Sequence, residues 1–326
     1  QLEATPTGLA ARVVNAGEVR PVSVAKWNGS QLGLRFDPYD SNIRATLDDK
    51  GRMVGRWSKL SSGRIVELPF KADRGQGWDP GALPALDLAG RWAARFSASD
   101  DPAVLVLERR VGPAVPIPRG EPCDLLGTFL TTLGDYRFLS GWSTTRDDSL
   151  ELACFDGAHA FLFRARLLED GSLAGDFWSA DRWHETWSAV RDPDAALPDP
   201  FGISAWNREV RLADLAYPDL EGRLRALDEE AFRGKARILQ VFGTWCPNCN
   251  DEAPFLAELD DRYRARGLSV LGLAFEHGDD HAYAAGRVRA YAERYGIRFP
   301  ILVAGTSDKQ AASEAFPLLD RVRAFP

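Results

Sequence analysis

The chain has 326 residues, of which 45% are hydrophobic and 27% charged, and this composition fits a globular protein of about two domains. Its formal net charge of −7 argues against a nucleic-acid partner, because binding to phosphates needs a concentrated basic surface. No segment approaches the ~18 apolar residues that a membrane-spanning helix requires, so we expect no membrane span in this segment.

Residues 1 to about 190 show the alternation of apolar and polar residues that is typical of β-strands. The clearest runs are residues 31–36, 103–107 and 160–165, and the turn signals include Asp49-Lys50-Gly51, Asp156-Gly157 and Asp170-Gly171. Stretches with a helical period are scarce. We therefore predict an all-β domain, either a barrel or a sandwich.

A weak internal repeat lies within this region. Each copy has a glycine, then a Phe-Asp pair at the same interval, then a glycine-containing turn and a Trp-Ser pair. The landmarks are Gly8, Phe36-Asp37 and Trp57-Ser58 in the first copy, and Gly127, Phe155-Asp156 and Trp178-Ser179 in the second. The repeat predicts a duplicated β-unit. Only the second copy is preceded by strand-like segments, so we expect the natural protein to extend upstream of Gln1.

The cysteines and tryptophans of this region have structural interpretations. Cys123 and Cys154 lack the helix-start context that activates a thiol, so we expect either a disulfide between them or two buried thiols. Most of the ten tryptophans also lie here. We favour a role in the β core over an aromatic face that binds sugars or peptides.

A linker separates this region from the rest of the chain. Residues 191–200 contain three prolines and three aspartates and cannot continue a strand. We predict a β-rich domain at residues 1–190, a linker at 191–207 and a second domain at 208–326.

The second domain alternates strands and helices. Strands are predicted at residues 237–242, 268–274 and 299–303, and helices at residues 247–266, 282–295 and 309–322. This order with short connections implies a parallel sheet. In the first helix, we expect Phe255, Leu256, Leu259 and Tyr263 to share one face.

The run Trp245-Cys246-Pro247-Asn248-Cys249 lies between the first strand and the first helix of this domain. Amides at a helix N-terminus stabilise a thiolate at Cys246, and Pro247 fits the first helical turn, where its missing N–H costs nothing. Such a thiolate attacks a foreign disulfide, and Cys249 resolves the mixed disulfide. The pattern therefore predicts a site of dithiol–disulfide exchange.

A zinc site is the main alternative for a Cys-x-x-Cys pair. Zinc would need two more Cys or His ligands at matching spacing, and the sequence has no second such pair. His277 and His281 are four residues apart, but residues 276–281 are typical of a solvated loop. We therefore predict neither a metal nor a cofactor.

A series of landmarks in the second domain resembles the TlpA/ResA-type thiol-disulfide oxidoreductases of the thioredoxin fold. The landmarks are residues 218–222, Gly234-Lys235, residues 242–249, Glu252, Pro254, Leu256 and residues 295–300. The resemblance covers residues 208–326 and implies a thioredoxin-like α/β domain. The β-rich half resembles the region attached to TlpA-like domains in some bacterial proteins.

The resemblance implies roles for single residues. Cys246 would be the attacking thiol and Cys249 the more buried, resolving thiol. Glu252 would move a proton during exchange, although an acidic residue in the first helical turn is also favourable with the helix dipole alone. Gln240 stands where ordinary thioredoxin has a buried aspartate, so that proton relay is absent here.

Trp245, Pro247 and Pro326 would position the substrate, and Pro326 is the candidate for the family's cis-proline opposite the dithiol. The chain stops at this residue, so the family's last two strands and last helix are missing from it. Strand 237–242 would then be an exposed sheet edge, which proteins normally avoid. We therefore expect the natural protein to continue beyond residue 326.

Together these features predict an extracytoplasmic bacterial oxidoreductase that reduces protein disulfides and takes electrons from an upstream thiol reductant. The alternative is a binding module in which the β-rich domain recognises a protein or a glycan and the dithiol is secondary. A peroxiredoxin would need threonine where Gly243 stands, and copper chaperones use a Cys-x-x-x-Cys spacing, so both are less favoured.

Overall fold

A computed structural model of the chain describes residues 1–6, 8–15, 18–61, 64–74, 85–109 and 125–325. It divides into two compact units, residues 1–59 with 66–200, and residues 60–65 with 201–326. The main division, after residue 200, falls inside the segment 191–207 that we predicted as a linker. Cys123 and Pro326 lie outside the described residues.

Seventeen described strands precede the division. They are β1 (Leu2–Thr5), β2 (Gly8–Asn15), β3 (Glu18–Pro21), β4 (Val24–Trp27), β5 (Gln31–Phe36), β6 (Ser41–Leu47), β7 (Met53–Ser61), β8 (Arg64–Ala72), β9 (Gly90–Phe96), β10 (Ala103–Arg109), β11 (Leu125–Thr131), β12 (Gly134–Asp135), β13 (Leu139–Thr144), β14 (Ser149–Phe155), β15 (Ala160–Leu167), β16 (Leu173–Ser179) and β17 (Trp183–Arg191). The all-β prediction is therefore confirmed.

Eight of these strands close into an antiparallel barrel. The order is β10-β9-β17-β16-β15-β14-β13-β11, and β10 also pairs with β11, which closes the ring. Aromatic side chains fill the interior; for example, Phe163 stacks on Phe177 at 4.3 Å and meets Trp187 edge-on at 6.3 Å. Of the two predicted forms, the barrel is the one present.

The first half of the unit forms a three-stranded sheet, β1-β2-β3, and a five-stranded sheet, β4-β5-β6-β7-β8. Equivalent positions of the two sequence copies make equivalent contacts. Gly55 pairs with Ala45 between β6 and β7, and Gly175 pairs with Ala165 between β15 and β16. A Cβ atom on either glycine would overlap a carbonyl oxygen of the neighbouring strand. These contacts support our proposal of a duplicated unit.

Some tryptophans of this unit pack in the core and others do not. Trp57, Trp92 and Trp187 are at most 3% exposed, as a core role requires. Trp27 and Trp183 are 41% and 49% exposed. The expectation of core packing therefore holds for the first three and fails for the other two.

A buried polar cluster ties β3 to the turn after β14. Arg137 is 4% exposed, and its guanidinium contacts Glu18 at 3.2 Å and Asp156 at 3.0 Å. The Asp156 carboxylate also accepts hydrogen bonds from the backbone N–H groups of Ala158 and His159. Burial alone would raise the pKa of Asp156, but His159 and Arg137 outweigh it and hold the pKa well below its usual range.

The second unit contains an α/β core. Its elements are β18 (Ala216–Pro218), β19 (Leu224–Ala226), β20 (Ala236–Phe242), α1 (Pro247–Tyr263), β21 (Leu268–Glu276), α2 (His281–Tyr295), β22 (Ile301–Thr306) and α3 (Lys309–Ala315). The main sheet is parallel, with the order β20-β21-β22. Among the described residues β20 pairs only with β21, so its other edge is open. The predicted thioredoxin-like α/β arrangement is confirmed.

Two details of the helices correct the sequence predictions. The last helix ends at Ala315 rather than residue 322, because Phe316 precedes Pro317 and a residue before proline disfavours the helical conformation. Phe255 is 62% exposed, whereas Leu256 is 5% exposed. Successive helical residues point about 100° apart, so the two do not share a face.

Candidate active site

The two cysteines sit where β20 passes into α1. Cys246 is the N-cap residue, with an extended backbone (φ −86°, ψ 120°), and Pro247 is the first helical residue. The Cys246 carbonyl accepts the backbone hydrogen bond of Asn250 at 3.1 Å, which starts the helix. The positive end of the helix dipole therefore lies at the Cys246 side chain and favours negative charge there.

Burial separates the two thiols. Cys246 is 6% exposed and Cys249 is fully buried. Burial, together with a hydrogen bond to the Cys246 side chain and the negative charge of Glu252, raises the pKa of Cys249 well above its usual value. The Cys246 thiol also donates a hydrogen bond to the carbonyl of Phe325 at 3.4 Å. Cys246 is thus the less buried of the two thiols, and Cys249 is the one whose pKa burial raises.

Glu276 fixes the loop before the cysteines. It ends β21, is 1% exposed, and its carboxylate accepts hydrogen bonds from the Thr244 backbone N–H at 2.8 Å and the Thr244 hydroxyl at 2.7 Å. Both bonds are made to an ionisable group in a dry environment, where hydrogen bonds are strong. The carboxylate therefore holds Thr244 two residues before Cys246.

Two tyrosines of α2 fix the first turn of α1 from the other side. Asn250 donates from its side chain to the carbonyls of Thr244 at 2.9 Å and Cys246 at 2.7 Å, and the Tyr295 hydroxyl donates to the Asn250 side-chain oxygen at 2.8 Å. The Tyr291 hydroxyl donates to the Cys249 carbonyl at 2.7 Å. The dithiol is thus held by bonds to the backbone on both sides of the motif.

Trp245 forms an aromatic wall beside the thiols. Its indole N–H donates to the Phe275 carbonyl at 2.9 Å, its ring stacks on His277 at 4.7 Å, and Phe325 meets it edge-on at 5.5 Å. The His277 ring also contacts the Ser307 hydroxyl, with Nδ1 2.8 Å from the hydroxyl oxygen. This wall gives the site an apolar surface next to Cys246.

The loop predicted at residues 276–281 is present at residues 277–280, and residues 278–280 are exposed. His277 is partly buried against Trp245, and His281 is the first residue of α2, with Nε2 2.8 Å from the Asp219 carbonyl oxygen. The two histidines at the ends of this loop are partly buried rather than solvated, because β21 runs two residues past the predicted strand end at residue 274 and α2 begins at His281.

Gln240 and Glu252 form a pair beneath the dithiol. Gln240, in β20, is 6% exposed, and its side-chain N–H donates to the Glu252 carboxylate in α1 at 3.0 Å. The charge of Glu252 acts on Cys249 and on Tyr291, raising the pKa of each in addition to the larger effect of burial. Glu252 thus contributes to the electrostatic environment of the buried thiol.

The structure brings Trp245, Cys246, Pro247, Cys249 and Glu252 together at one end of the parallel sheet. The predicted site residue Pro326 lies outside the described residues, although the carbonyl of the preceding residue contacts Cys246.

Cys154 lies in the barrel unit, where it is 2% exposed and burial raises its pKa. The predicted choice between a Cys123–Cys154 disulfide and two buried thiols involves Cys123, which lies outside the described residues.

Sequence reasoning missed Glu276, His277, Asn250 and Phe325 as site residues. A signal for Glu276 was present: it follows the apolar strand segment 268–275, and the carboxyl ends of parallel strands meet at one edge of the sheet. The others gave no signal, because their positions depend on how α2 and the segment after α3 pack.

Within the described residues, no group of three or more His, Cys, Asp or Glu side chains is arranged to hold a metal ion. In the same part of the chain, no helix is long and apolar enough to cross a membrane.

The described site thus belongs to a dithiol domain of thioredoxin-like fold. Residues 210–320 match the AhpC/TSA family. The thiol-disulfide oxidoreductase ResA of Geobacillus thermodenitrificans is 37% identical over 90 residues, which are 28% of this chain and 47% of that protein. A thiol:disulfide interchange protein DsbE homolog of Paracoccus denitrificans is 30% identical over 122 residues, 35% of this chain and 65% of that protein.

The chain spans about half the length of the ResA proteins it matches. Among solved structures, a secreted Mycobacterium tuberculosis disulfide oxidoreductase is 22% identical with a TM-score of 0.24, covering 32% of this chain and 66% of that one. A thioredoxin-family thiol:disulfide interchange protein of Chlorobium tepidum is 25% identical with a TM-score of 0.24, covering 31% and 62%. TM-scores this low carry no argument about the fold. The assignment of a thioredoxin-like fold instead depends on the strand order and the family match.

Proposed function

We propose that the C-terminal unit is a thiol-disulfide oxidoreductase that reduces disulfides in proteins through the Cys246–Cys249 dithiol. The observation that carries the proposal is the placement of the pair: Cys246 at the N-cap of α1 and Cys249 buried one turn further, with their side chains hydrogen-bonded. This arrangement gives one thiol access to a partner and keeps the other for an internal attack.

The reaction runs in two exchanges. The Cys246 thiolate attacks one sulfur of the substrate disulfide, that disulfide breaks, a mixed disulfide forms, and the other substrate sulfur leaves and takes up a proton. Cys249 then gives its proton to Glu252 and attacks the sulfur of Cys246. The second substrate sulfur leaves, takes the proton from Glu252, and the Cys246–Cys249 disulfide closes. Two electrons have passed from the dithiol to the substrate.

The wall of Trp245 and Phe325, with Pro247 in the first turn, would position the substrate chain beside Cys246. We place Pro326 in the same role, as the candidate cis-proline. An extended substrate segment would lie against these groups, and its disulfide sulfur would approach Cys246 in line with the bond that breaks.

A thiolate at Cys246, favoured by the helix N-terminus, stabilises the dithiol form, and support for the reducing direction comes from Cys249. Because burial raises the pKa of Cys249, ionisation of this second thiol does little to stabilise the dithiol form. A dithiol that is not stabilised in this way gives up its electrons more readily, whereas strongly oxidising pairs owe their potential to a stabilised reduced form. The oxidised pair must then be recharged by an upstream thiol reductant. We place this chemistry outside the cytoplasm of a bacterium, as the resemblance to TlpA/ResA-type proteins favours.

Trapping the mixed disulfide tests this proposal. A Cys249→Ser variant, incubated with a protein that contains disulfides, is expected to accumulate a covalent adduct that dithiothreitol releases. Cys246→Ser should form none, and Cys154→Ala, which removes a buried thiol outside the site, should turn over as the natural sequence does. Equal adduct with Cys246→Ser, or no adduct with either variant, would contradict the proposal.

A binding role for the N-terminal unit is the second candidate. A cavity of about 990 Å³ is lined by Trp27, Lys26, Arg44 and Leu9, so it offers an exposed aromatic ring and two cations beside apolar side chains. A glycan or a protein segment would fit such a surface. Binding of the full chain on glycan and peptide arrays that is lost in Trp27→Ala, with disulfide reduction unchanged, would favour this role; no binding would remove it.

A further inference from the structure

Gln240 carries an unsatisfied polar atom next to the dithiol. Its side-chain N–H donates to Glu252 at 3.0 Å, but its side-chain oxygen is buried and has no hydrogen-bond partner among the described residues. Leaving a buried acceptor without a partner costs roughly 1–3 kcal/mol, and in a native protein such an atom calls for an explanation.

The explanation lies in the proton that Glu252 carries during the second exchange. An ionised carboxylate only accepts hydrogen bonds, so it needs the N–H of the amide, as the structure has it. A protonated carboxyl group gains an O–H donor, which needs an acceptor, and keeps its carbonyl oxygen as an acceptor. The last torsion of a glutamine side chain is soft and roughly two-fold, so a half-turn exchanges the amide N–H and oxygen.

We propose that Gln240 is a positioning residue that holds Glu252 in both its ionised and its protonated form, by turning its amide as the proton arrives and leaves. This inference rests on the proposed function, because it concerns the proton that the second exchange transfers. The oxygen that lacks a partner in the ionised form accepts the hydrogen bond of the carboxyl O–H in the protonated form. The pair therefore stays hydrogen-bonded throughout the cycle.

Among the groups around Glu252, Gln240 is the one placed to hydrogen-bond its carboxyl group in both the ionised and the protonated form. The titratable groups that act on this part of the site are Cys246 and Cys249 in the first turn of α1, and Tyr291 and Tyr295 in α2. The two tyrosine hydroxyls donate to other partners, the Cys249 carbonyl and the Asn250 side chain. From β20 the neutral amide of Gln240 faces the carboxyl group, so it can serve either form without adding a charge.

The test separates the two exchanges by single-turnover kinetics on the full chain. Pre-reduced protein is mixed with a peptide disulfide bearing a fluorophore and quencher, and a Cys249→Ser sample identifies the phase that belongs to mixed-disulfide formation. Gln240→Leu removes both hydrogen-bonding groups of the amide. Gln310→Leu is the matched control, because Gln310 also donates to a glutamate, Glu314, at 3.1 Å, but on the exposed surface of α3.

We expect Gln240→Leu to slow the second phase about tenfold, a part of the ~10²–10⁴-fold that a positioned acid–base group contributes, and to leave the first phase unchanged. Gln310→Leu should change neither phase. If Gln240→Leu does not fold, Gln240→Met, which keeps the length of the side chain, replaces it.

The decisive comparison repeats the Gln240→Leu substitution in a protein that already carries Glu252→Gln. If Gln240 acts through Glu252, adding Gln240→Leu to Glu252→Gln should slow the second phase no further. An undiminished second phase in Gln240→Leu, or a loss of the same size in both backgrounds, would overturn the inference. Failure of the proposed function looks different, because the natural sequence itself would then show no reaction with the peptide disulfide.

Discussion

Two residues, Thr244 and Glu276, decide how firmly the loop before the dithiol is held. Glu276 is 1% exposed, and Thr244 supplies two hydrogen bonds to its carboxylate. Neither residue is chemically reactive in the exchange. They contribute to the position of Cys246, because the hydrogen bonds between Thr244 and Glu276 hold the loop before the dithiol against the end of β21.

Replacing Thr244 by valine tests this anchor. Valine has the same shape but no hydroxyl, so the buried carboxylate of Glu276 loses one of two donors from Thr244, which costs about 1–3 kcal/mol. We expect the free energy of unfolding, measured with urea, to fall by that amount. Thr244→Ser keeps the hydroxyl and should lose less than half as much; equal losses in the two variants would contradict the role of the hydrogen bond.

The buried thiol predicts a selective alkylation pattern. Because the pKa of Cys249 is raised, mainly by burial, this group stays protonated at pH 8, and only thiolates react with iodoacetamide at a useful rate. We expect the native protein at pH 8 to be labelled at Cys246 and not at Cys249, as read by peptide mass spectrometry. Labelling of Cys249 should appear only as pH rises far into the alkaline range or when urea unfolds the protein. Equal labelling of Cys246 and Cys249 at pH 8 would contradict the burial of Cys249.

At the scale of elements, local sequence patterns predicted where helices begin and end but not contacts between distant residues. The helix at 247–266 was predicted from its proline start and its glycine stop, and the structure has α1 at Pro247–Tyr263, a further turn at Arg264–Arg266 and Gly267 in the left-handed conformation. The helix after β22 was predicted too long because its apolar spacing continues past Pro317, where the backbone cannot. The contact of His277 with Trp245 had no local signature, since it joins residues that are distant in the sequence.

The hairpins of the barrel depend on a glycine. A Cβ atom on Gly175 would overlap the carbonyl oxygen of Arg164 on the paired strand β15, so Gly175→Ala forces these strands apart. We expect a loss of about 1–3 kcal/mol in the free energy of unfolding, the usual range for overpacking. The control is Gly33→Ala in β5, where nothing lies within 4 Å of the added atom. If Gly175→Ala and Gly33→Ala unfold at the same urea concentration, the result would contradict the close approach of β15 and β16 at Gly175.

The polar cluster between β3 and β14 predicts a pH dependence of stability. The folded pKa of Asp156 is depressed, so its contribution is present above the unfolded pKa, about 3.9, and is lost as pH falls below it. We expect the natural sequence to lose more unfolding free energy between pH 6 and pH 3 than Asp156→Asn loses.

The variant itself should be less stable at pH 6 by at most about 3–5 kcal/mol, because Arg137 keeps Glu18 but loses one of its two buried carboxylate partners. Parallel pH profiles of the two proteins, from urea titrations, would count against the ion pair.

At the scale of the whole molecule, the sequence predicted two regions of different class but not how the first one closes. Alternation identifies strands such as β14 and β15, yet the pairing of β10 with both β9 and β11, which makes a barrel rather than a sandwich, depends on long-range register. In the second unit, strand and helix order was sufficient, because short right-handed connections leave few parallel arrangements. Thus the dithiol could be predicted from sequence, and of the residues that hold it Glu276 gave a signal while Asn250, Tyr291 and Tyr295 did not.

The reduction potential of the Cys246–Cys249 couple tests the central claim most directly. It is measured by thiol trapping in glutathione or dithiothreitol buffers on the full chain, with Cys154→Ala as the control for the buried thiol. The account predicts a reversible two-electron couple more reducing than about −230 mV, in the range of thioredoxin-like reductants. A value near about −120 mV would make the protein an oxidant, and the absence of any reversible couple would contradict a role in disulfide exchange.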